Sequence, residues 1–279
     1  MKLAGWWRLK WGVAAAALLA LILGTAIFAP WISPYNPLTV DIQHRLGPPS
    51  WMEGGTRAHL LGTDQVGRDL LARMIYGGRV SLIIGVAAVL ISSTIGVLLG
   101  LTAGYFSRVD WTIMTVINVM LTFPFVLLAL AVIAVLGPSL INMIIVLGVA
   151  DWPLYARVIR AETLAIRERE FIVAGRALGM SHLRIVFRQI LPNLVSVIVV
   201  IATLQVARVI ILESFLSFLG LGVQPPTPAW GNMLGEGRVY MLNSWWIAAF
   251  PGAAIFVTTL AINLMGNALR DWLDPYMKA

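Results

Sequence analysis

The apolar runs decide what this chain can fold into. Six stretches are nearly free of charge: Trp11–Phe28, Val80–Tyr105, Trp111–Leu136, Leu140–Tyr155, Leu194–Leu219 and Trp246–Leu264. About 20 such residues cross the ~30 Å hydrocarbon core of a bilayer. The composition agrees, with 12% charged residues and 59% hydrophobic ones, where ordinary soluble protein carries about 25% charged. A soluble domain of 279 residues cannot hide so much apolar surface in one core. A cytosolic enzyme, a disordered tail and a secreted disulfide scaffold are therefore excluded. Cysteine is absent, which removes disulfides, thiolate metal sites and thiol nucleophiles. The expected fold is an all-α membrane protein of six transmembrane helices. Lys2, Arg8 and Lys10 before the first run invite a signal-peptide reading. That run is long for an h-region and Pro30-Trp31 is a poor cleavage site, so an uncleaved anchor is expected.

The net charge of +7 would suit a nucleic-acid binder, but its placement says otherwise. With the N-terminus inside, thirteen Lys and Arg fall on the inner side: Lys2, Arg8, Lys10, Arg108, Arg157, Arg160, Arg167, Arg169, Arg176, Arg184, Arg188, Arg270 and Lys278. Six fall outside: Arg45, Arg57, Arg68, Arg73, Arg79 and Arg238. The positive-inside bias favours both termini inside and an even number of spans. The excess charge sets topology, and no nucleic-acid partner is expected. The chain divides into a tail and first helix (1–29), an outer loop (30–78), a five-helix unit (79–268) and an inner tail (269–279).

Two connections are longer than turns. In the outer one, Asp64 to Gly78 reads as an amphipathic helix, capped by Asp64, with an Asp69–Arg73 pair. Gly77-Gly78 is its expected stop. It lies on the membrane surface or forms a collar that meets a partner. The inner connection, about 156–192, holds seven Arg and three Glu and must face water. Phe171, Ala174, Gly175 and Leu178 recur at helical spacing and form one apolar face of mostly small residues. Gly179 supplies a left-handed stop, Ser181 caps a second helix, and Leu191-Pro192 ends it. Such a face is either a docking knob for a soluble partner or a linker helix against the bilayer.

Ionisable residues within spans are costly in lipid. Asp151 precedes Trp152-Pro153, and Arg208 and Glu213 stand five apart on the fifth span. They line a translocation path or make polar contacts between subunits. No phosphate-cradling Gly-x4-Gly-Lys-Ser/Thr loop surrounds Lys2, Lys10 or Lys278. His44, His59 and His182 show no metal-ligand spacing and read as loop residues, His182 solvated. No nucleophile elbow appears. A non-catalytic chain with no cofactor or metal of its own is expected.

Val173-Ala-Gly-Arg-Ala-Leu-Gly179, followed after nine residues by Gln189-Ile-Leu-Pro192, resembles the EAA loop of ABC-importer permeases, E-A-A-x3-G-x9-I-x-L-P. It keeps Ala174, Gly179 and Leu191-Pro192 and departs at Val173, Gly175 and Gln189. More specific text flanks it: Leu61-Gly-Thr-Asp-Gln-Val-Gly-Arg-Asp69, Tyr155-Ala-Arg-Val-Ile-Arg160, Arg167-Glu-Arg-Glu-Phe171, Ser217-Phe-Leu-Gly-Leu-Gly-Val-Gln-Pro-Pro-Thr-Pro-Ala-Trp-Gly231 and Leu269-Arg-Asp-Trp-Leu-Asp-Pro275. These blocks are similar to the C-type permease subunit of dipeptide/oligopeptide/nickel ABC importers, in that family's order.

The resemblance implies a type I ABC importer permease fold, N-in/C-in, multi-pass in a bacterial cytoplasmic (inner) membrane. It implies a heterodimer with a second, B-type permease, two cytoplasmic ATPase subunits that bind ATP and Mg, and an outer solute-binding protein. The coupling helix would cover about 166–179, with Arg167, Glu168, Glu170, Phe171, Ala174, Gly175, Leu178 and Gly179 at the ATPase contact. Asp151, Arg208 and Glu213 would line the path, Glu213 at the family's acidic position. Peptides lead as cargo, with nickel chelates or glutathione-like solutes as the alternative. A self-sufficient secondary transporter or channel would instead show inverted repeats with broken helices.

Overall fold

The computed structural model describes residues 2–273. Among the described residues the regular structure is helical, apart from one isolated Thr63–Asp69 bridge in the outer loop of residues 33–69. In order, the helices are α1 (Lys2–Ile27), α2 (Ala29–Ile32), α3 (Leu70–Tyr105), α4 (Ser107–Thr122), α5 (Phe125–Leu136) and α6 (Leu140–Arg167). Then follow α7 (Glu170–Ala177), α8 (His182–Ile185), α9 (Leu191–Phe218), α10 (Trp230–Gly237) and α11 (Trp246–Leu273). In lipid the backbone can satisfy its polar groups only within such helices.

The direction of each crossing follows from what faces what. On α3, Gly96, Gly100 and Gly104 form a ridge against α6. A Cβ there would come within 2.6 Å of Trp152 O, 2.8 Å of Ile159 Cβ and 2.5 Å of Thr163 Cβ, respectively. On α6, a Cβ added to Gly148 would come 2.8 Å from Ile91 Cβ. The paired residue numbers rise together, so α3 and α6 are parallel. Small residues at every fourth position let helix backbones close up where lipid supplies no hydrophobic drive. Parallel neighbours require a return between them, and α4 and α5 provide it. They are bent by 85° at Phe123-Pro124, so the expected continuous span Trp111–Leu136 is broken. The residue before proline is pushed out of the helical region, and Phe123 sits at φ −77°, ψ 129°. At the inner end, Arg160 grips Asp110 of α4 with both arms of its guanidinium, at 2.5 and 2.6 Å.

Ser81 of α3 meets Glu213 of α9 and Gly85 meets Ile210, so α9 runs antiparallel to α3. Gly266 of α11 faces Leu204, antiparallel again. Gly12 of α1 lies against Ala268 of α11. The start of α1 and the end of α11 therefore share one side, as six passes require.

Several boundaries differ from expectation. Helix α3 starts at Leu70, capped by Asp69, whose carboxylate accepts from Ala72 N at 2.7 Å. The separate helix expected from Asp64 to Gly78 does not form. Gly77 and Gly78 lie inside α3, because bare glycines there admit the Trp230 ring; a Cβ on Gly78 would sit 2.6 Å from it. Pro192 does not end a helix either. Residues 182–218 form one rod, in which a π turn at Val186–Ile190 directly precedes Pro192 and accommodates its missing N–H within the helix. Pro153 likewise sits inside α6.

The largest core joins α3, α5, α6 and α9 around Ile84, Ala88, Ile133, Met143, Leu147 and Val209. A second, at the inner end, gathers Leu101, Ile159, Ile172, Ile185 and Ile190. Outside them, Trp111, Val135 and Phe256 stay exposed, as residues facing hydrocarbon do.

Candidate functional site

The inner connection forms a short helix held from beneath. At the end of α6, Arg167 donates from Nη1 to Gly104 O at 2.9 Å and from Nε to Glu168 Oε1 at 2.9 Å. Helix α7 carries Glu170 in its first turn and Arg176 in its last, both signs favourable for its dipole. Gly179 takes φ +76° and completes a Schellman stop: Met180 N donates to Gly175 O and Gly179 N to Arg176 O, each at 3.0 Å. The expected stop is where the spacing put it. Ser181 stands at the next N-cap, but its hydroxyl makes no capping bond.

The helix turns a different face inward than the apolar spacing suggested. Ile172 and Gly175 are buried, and a Cβ on Gly175 would come 3.1 Å from Gln189 Oε1 and from the Met180 sulfur. Gly175 therefore belongs to the seat, not to the outward knob. Phe171, Val173 and Leu178 are 43%, 51% and 84% exposed, and Ala174 and Ala177 are exposed beside them. An apolar strip thus faces water over two turns. Beneath it, Tyr105 at the end of α3 shares a 2.9 Å hydrogen bond with His182 Nδ1, and the Arg176 guanidinium lies 5.3 Å over the Tyr105 ring. His182 is exposed as expected, yet it is tied to α3 rather than merely solvated.

The three ionisable residues within spans do not form one group. Asp151 pairs across helices with Arg208, Oδ1 to Nη1 at 3.5 Å. The Asp151 side chain is 6% exposed while that of Arg208 is 47% exposed. Asp151 Oδ2 and Gln205 Nε2, one turn before Arg208, have no hydrogen-bond partner. A half-exposed guanidinium within a span is costly against lipid, so its exposed side calls for another polar surface or water. Glu213 is fully buried and accepts from Ser217, Ser81 and Ser214 hydroxyls at 2.7, 3.1 and 3.3 Å. It is enclosed by its own bundle.

A fourth site escaped the sequence reading. At the outer end, Asp64 and Arg73 are almost fully buried. Asp64 Oδ2 accepts from Arg68 Nε at 2.6 Å and from Arg73 Nη1 at 2.5 Å. Glu236 of α10 accepts from Arg73 Nη1 at 2.9 Å, Arg68 Nη2 at 3.1 Å and Gln65 Nε2 at 2.9 Å. Burial alone pushes the Glu236 carboxyl up, but the Arg73 guanidinium, helped by Gln65 and Arg68, outweighs it and holds the pKa below the ordinary glutamate value. Asp69 and Arg73, expected to pair, do not: Asp69 instead takes His59 at 2.8 Å. Trp230 Nε1 closes the site by donating to Met74 O at 2.9 Å. The available signal was charge balance, since Glu236 is the one acid between Glu213 and Asp271. Among the described residues no group of three or more His, Asp or Glu is placed to hold a metal ion.

Residues 71–279 match the model of the binding-protein-dependent transport system inner membrane component family. Residues 6–49 match that of the N-terminal TM domain of oligopeptide transport permease C. The di/tripeptide transport system permease protein DppC of Pseudomonas aeruginosa is 45% identical over 270 residues, covering 96% of this chain and 89% of that one. The dipeptide transport system permease protein DppC of Escherichia coli is 45% identical over 272 residues, covering 97% and 91%. Among solved structures, a chain of the inward-facing MetNI methionine ABC transporter superposes with a TM-score of 0.55 at 18% identity, covering 72% of this chain and 96% of that one.

Proposed function

The chain belongs to the family of binding-protein-dependent transport system inner membrane components, a multi-pass inner-membrane protein with the type I ABC importer permease fold, and from that premise we propose that it carries peptides. In this reading it pairs with a B-type permease and forms a path for dipeptides and oligopeptides delivered by an outer solute-binding protein. ATP and Mg belong to two cytoplasmic ATPase subunits, and this chain catalyses nothing itself. The observation that carries the reading is the exposed apolar strip of α7 above an anchored seat. Phe171, Ala174 and Leu178 enter a cleft of the ATPase, with Arg167, Glu168 and Glu170 beside its mouth. Gly175 and Gly179 set the seat and the stop. When the ATPases close, α7 moves, and the bonds at Gly104 and Tyr105 pass that motion to α3 and α6. Those two parallel rods move as a body, the rigid-body switching of a bistable bundle.

Arg208, with Asp151 behind it, faces the second permease or the path, where opposite charges can meet a peptide's two ends. Glu213, shut in by three serines, joins α3 to α9 instead of touching cargo. The same architecture suits nickel chelates or glutathione-like solutes, and the affinity of the partner binding protein separates these cargoes. A self-sufficient transporter calls for a repeated break, and the described helices hold one bent pair.

The test is Ala174→Glu in the reconstituted transporter. It removes ATP-driven dipeptide uptake at least tenfold while the two permeases still co-purify. Normal uptake by this variant would overturn the docking assignment.

A further inference from the structure

Between α1 and the outer half of α3 lies a recess of about 420 Å³. Leu23 and Ile27 line one wall, and Leu82, Ile83, Val86 and Leu90 the other. The only polar side chain on it is Arg79, at the rim. Arg79 is exposed, and among the described residues its guanidinium makes no hydrogen bond or ion pair.

The depth of the rim can be read from its neighbours. Helix α1 ends at Ile27 and is followed at once by Phe28 and Trp31, stacked at 5.5 Å, with Trp31 82% exposed. Exposed aromatics of this kind mark the membrane–water interface. Ile27 and Arg79 border the same rim, so the cation lies at headgroup level. From Arg79 to Leu90 the recess follows α3 for about 16 Å at 1.5 Å per residue. That is close to half of the ~30 Å hydrocarbon core. The slot is one leaflet deep, apolar along its length and cationic at its mouth. Its complement is an amphiphile with an anionic head and a single tail in the slot.

We propose that this recess is a resident site for one anionic glycerophospholipid of the outer leaflet, its phosphate on Arg79 and one acyl chain between α1 and α3. The lipid completes the packing of α1, which at its inner end already meets α11 through Gly12 and Ala268. A protein chain on this face would have to bring a carboxylate to Arg79 and an apolar ridge into the slot.

The test uses the assembled transporter in phosphatidylcholine nanodiscs doped with phosphatidylglycerol, read by native mass spectrometry. The wild type retains phosphatidylglycerol roughly fivefold better than Arg79→Gln, the factor one cation contributes near an anionic surface. Arg79→Lys keeps most of that retention, and Val86→Trp, which fills the slot, loses it. A photo-crosslinking side chain at position 86 labels phosphatidylglycerol. Equal retention by wild type and Arg79→Gln would overturn the proposal, as would a crosslink to the second permease. Arg79→Gln alters only an exposed side chain, so its result stands even if Val86→Trp fails to assemble.

Discussion

Replacing Arg73 by methionine keeps an unbranched apolar stem and removes the guanidinium that joins Asp64 to Glu236. In the native protein that group contacts Asp64 at 2.5 Å and Glu236 at 2.9 Å with its side chain 2% exposed. Breaking a buried pair by deleting one partner costs about 3–5 kcal/mol, because it strands the other charge. At about 2 °C per kcal/mol for a chain of this size, melting falls by roughly 6–10 °C. Tryptophan fluorescence of the purified transporter reports the transition, since Trp230 and Trp246 pack beside the cluster. The pH dependence has a fixed sign. Glu236 is held below its ordinary value of 4.5, so its stabilisation is present above that value and is lost as pH falls through the folded pKa. Arg73→Met removes the main cause of that depression and leaves burial, which pushes the carboxyl up. The variant's glutamate then protonates at a higher pH, and its deficit against the wild type narrows as pH drops from neutral toward 5. Adding Glu236→Gln to Arg73→Met recovers part of the loss. A variant that melts within about 2 °C of wild type at neutral pH, or a double variant that melts lower than the single one, would refute the reasoning.

Gly96→Ala places a methyl 2.6 Å from Trp152 O and forces α3 from α6. A loss of about 1–3 kcal/mol in melting experiments is expected, against none for Gly24→Ala, where no atom lies within 4 Å; equal melting of the two would contradict the glycine ridge. Asp151→Asn leaves Arg208 uncompensated in mid-membrane, at about 2.5–3.5 kcal/mol. Less transporter then accumulates in the membrane fraction, and Arg208→Gln added to it restores the amount. Undiminished accumulation of the single variant would show that the pair is not held.

Five of the apolar runs and the first inner helix, α7, were legible because bilayer thickness and helical period are local rules. Gly179 was legible for the same reason, as a left-handed stop in a water-exposed turn. The errors arose where a residue's usual meaning in water was carried into lipid. Gly77-Gly78 was read as a stop, but Trp230, far along the chain, needs the space. Pro192 was read as a terminator, but it sits in the first turn of α9 after a π turn. The opposite slip occurred at Phe123-Pro124, where the local bias against helix was present and the apolar run hid it. Gly175 was assigned to the outward face by spacing, whereas Ile172 fixes which side of α7 is down. The outer cluster joins residue 64 to residue 236, and no local period links them.

The central claim is that α7 is where an ATPase takes hold. Because the native chain has no cysteine, Ala174→Cys provides a unique thiol on the exposed strip. The decisive measurement is its crosslinking and labelling in the active transporter, with and without ATP. The account predicts a crosslink to the ATPase chain and protection from a water-soluble maleimide that is lost when the ATPases are stripped away. Equal labelling in the presence and absence of the ATPases, with no crosslink, would contradict it.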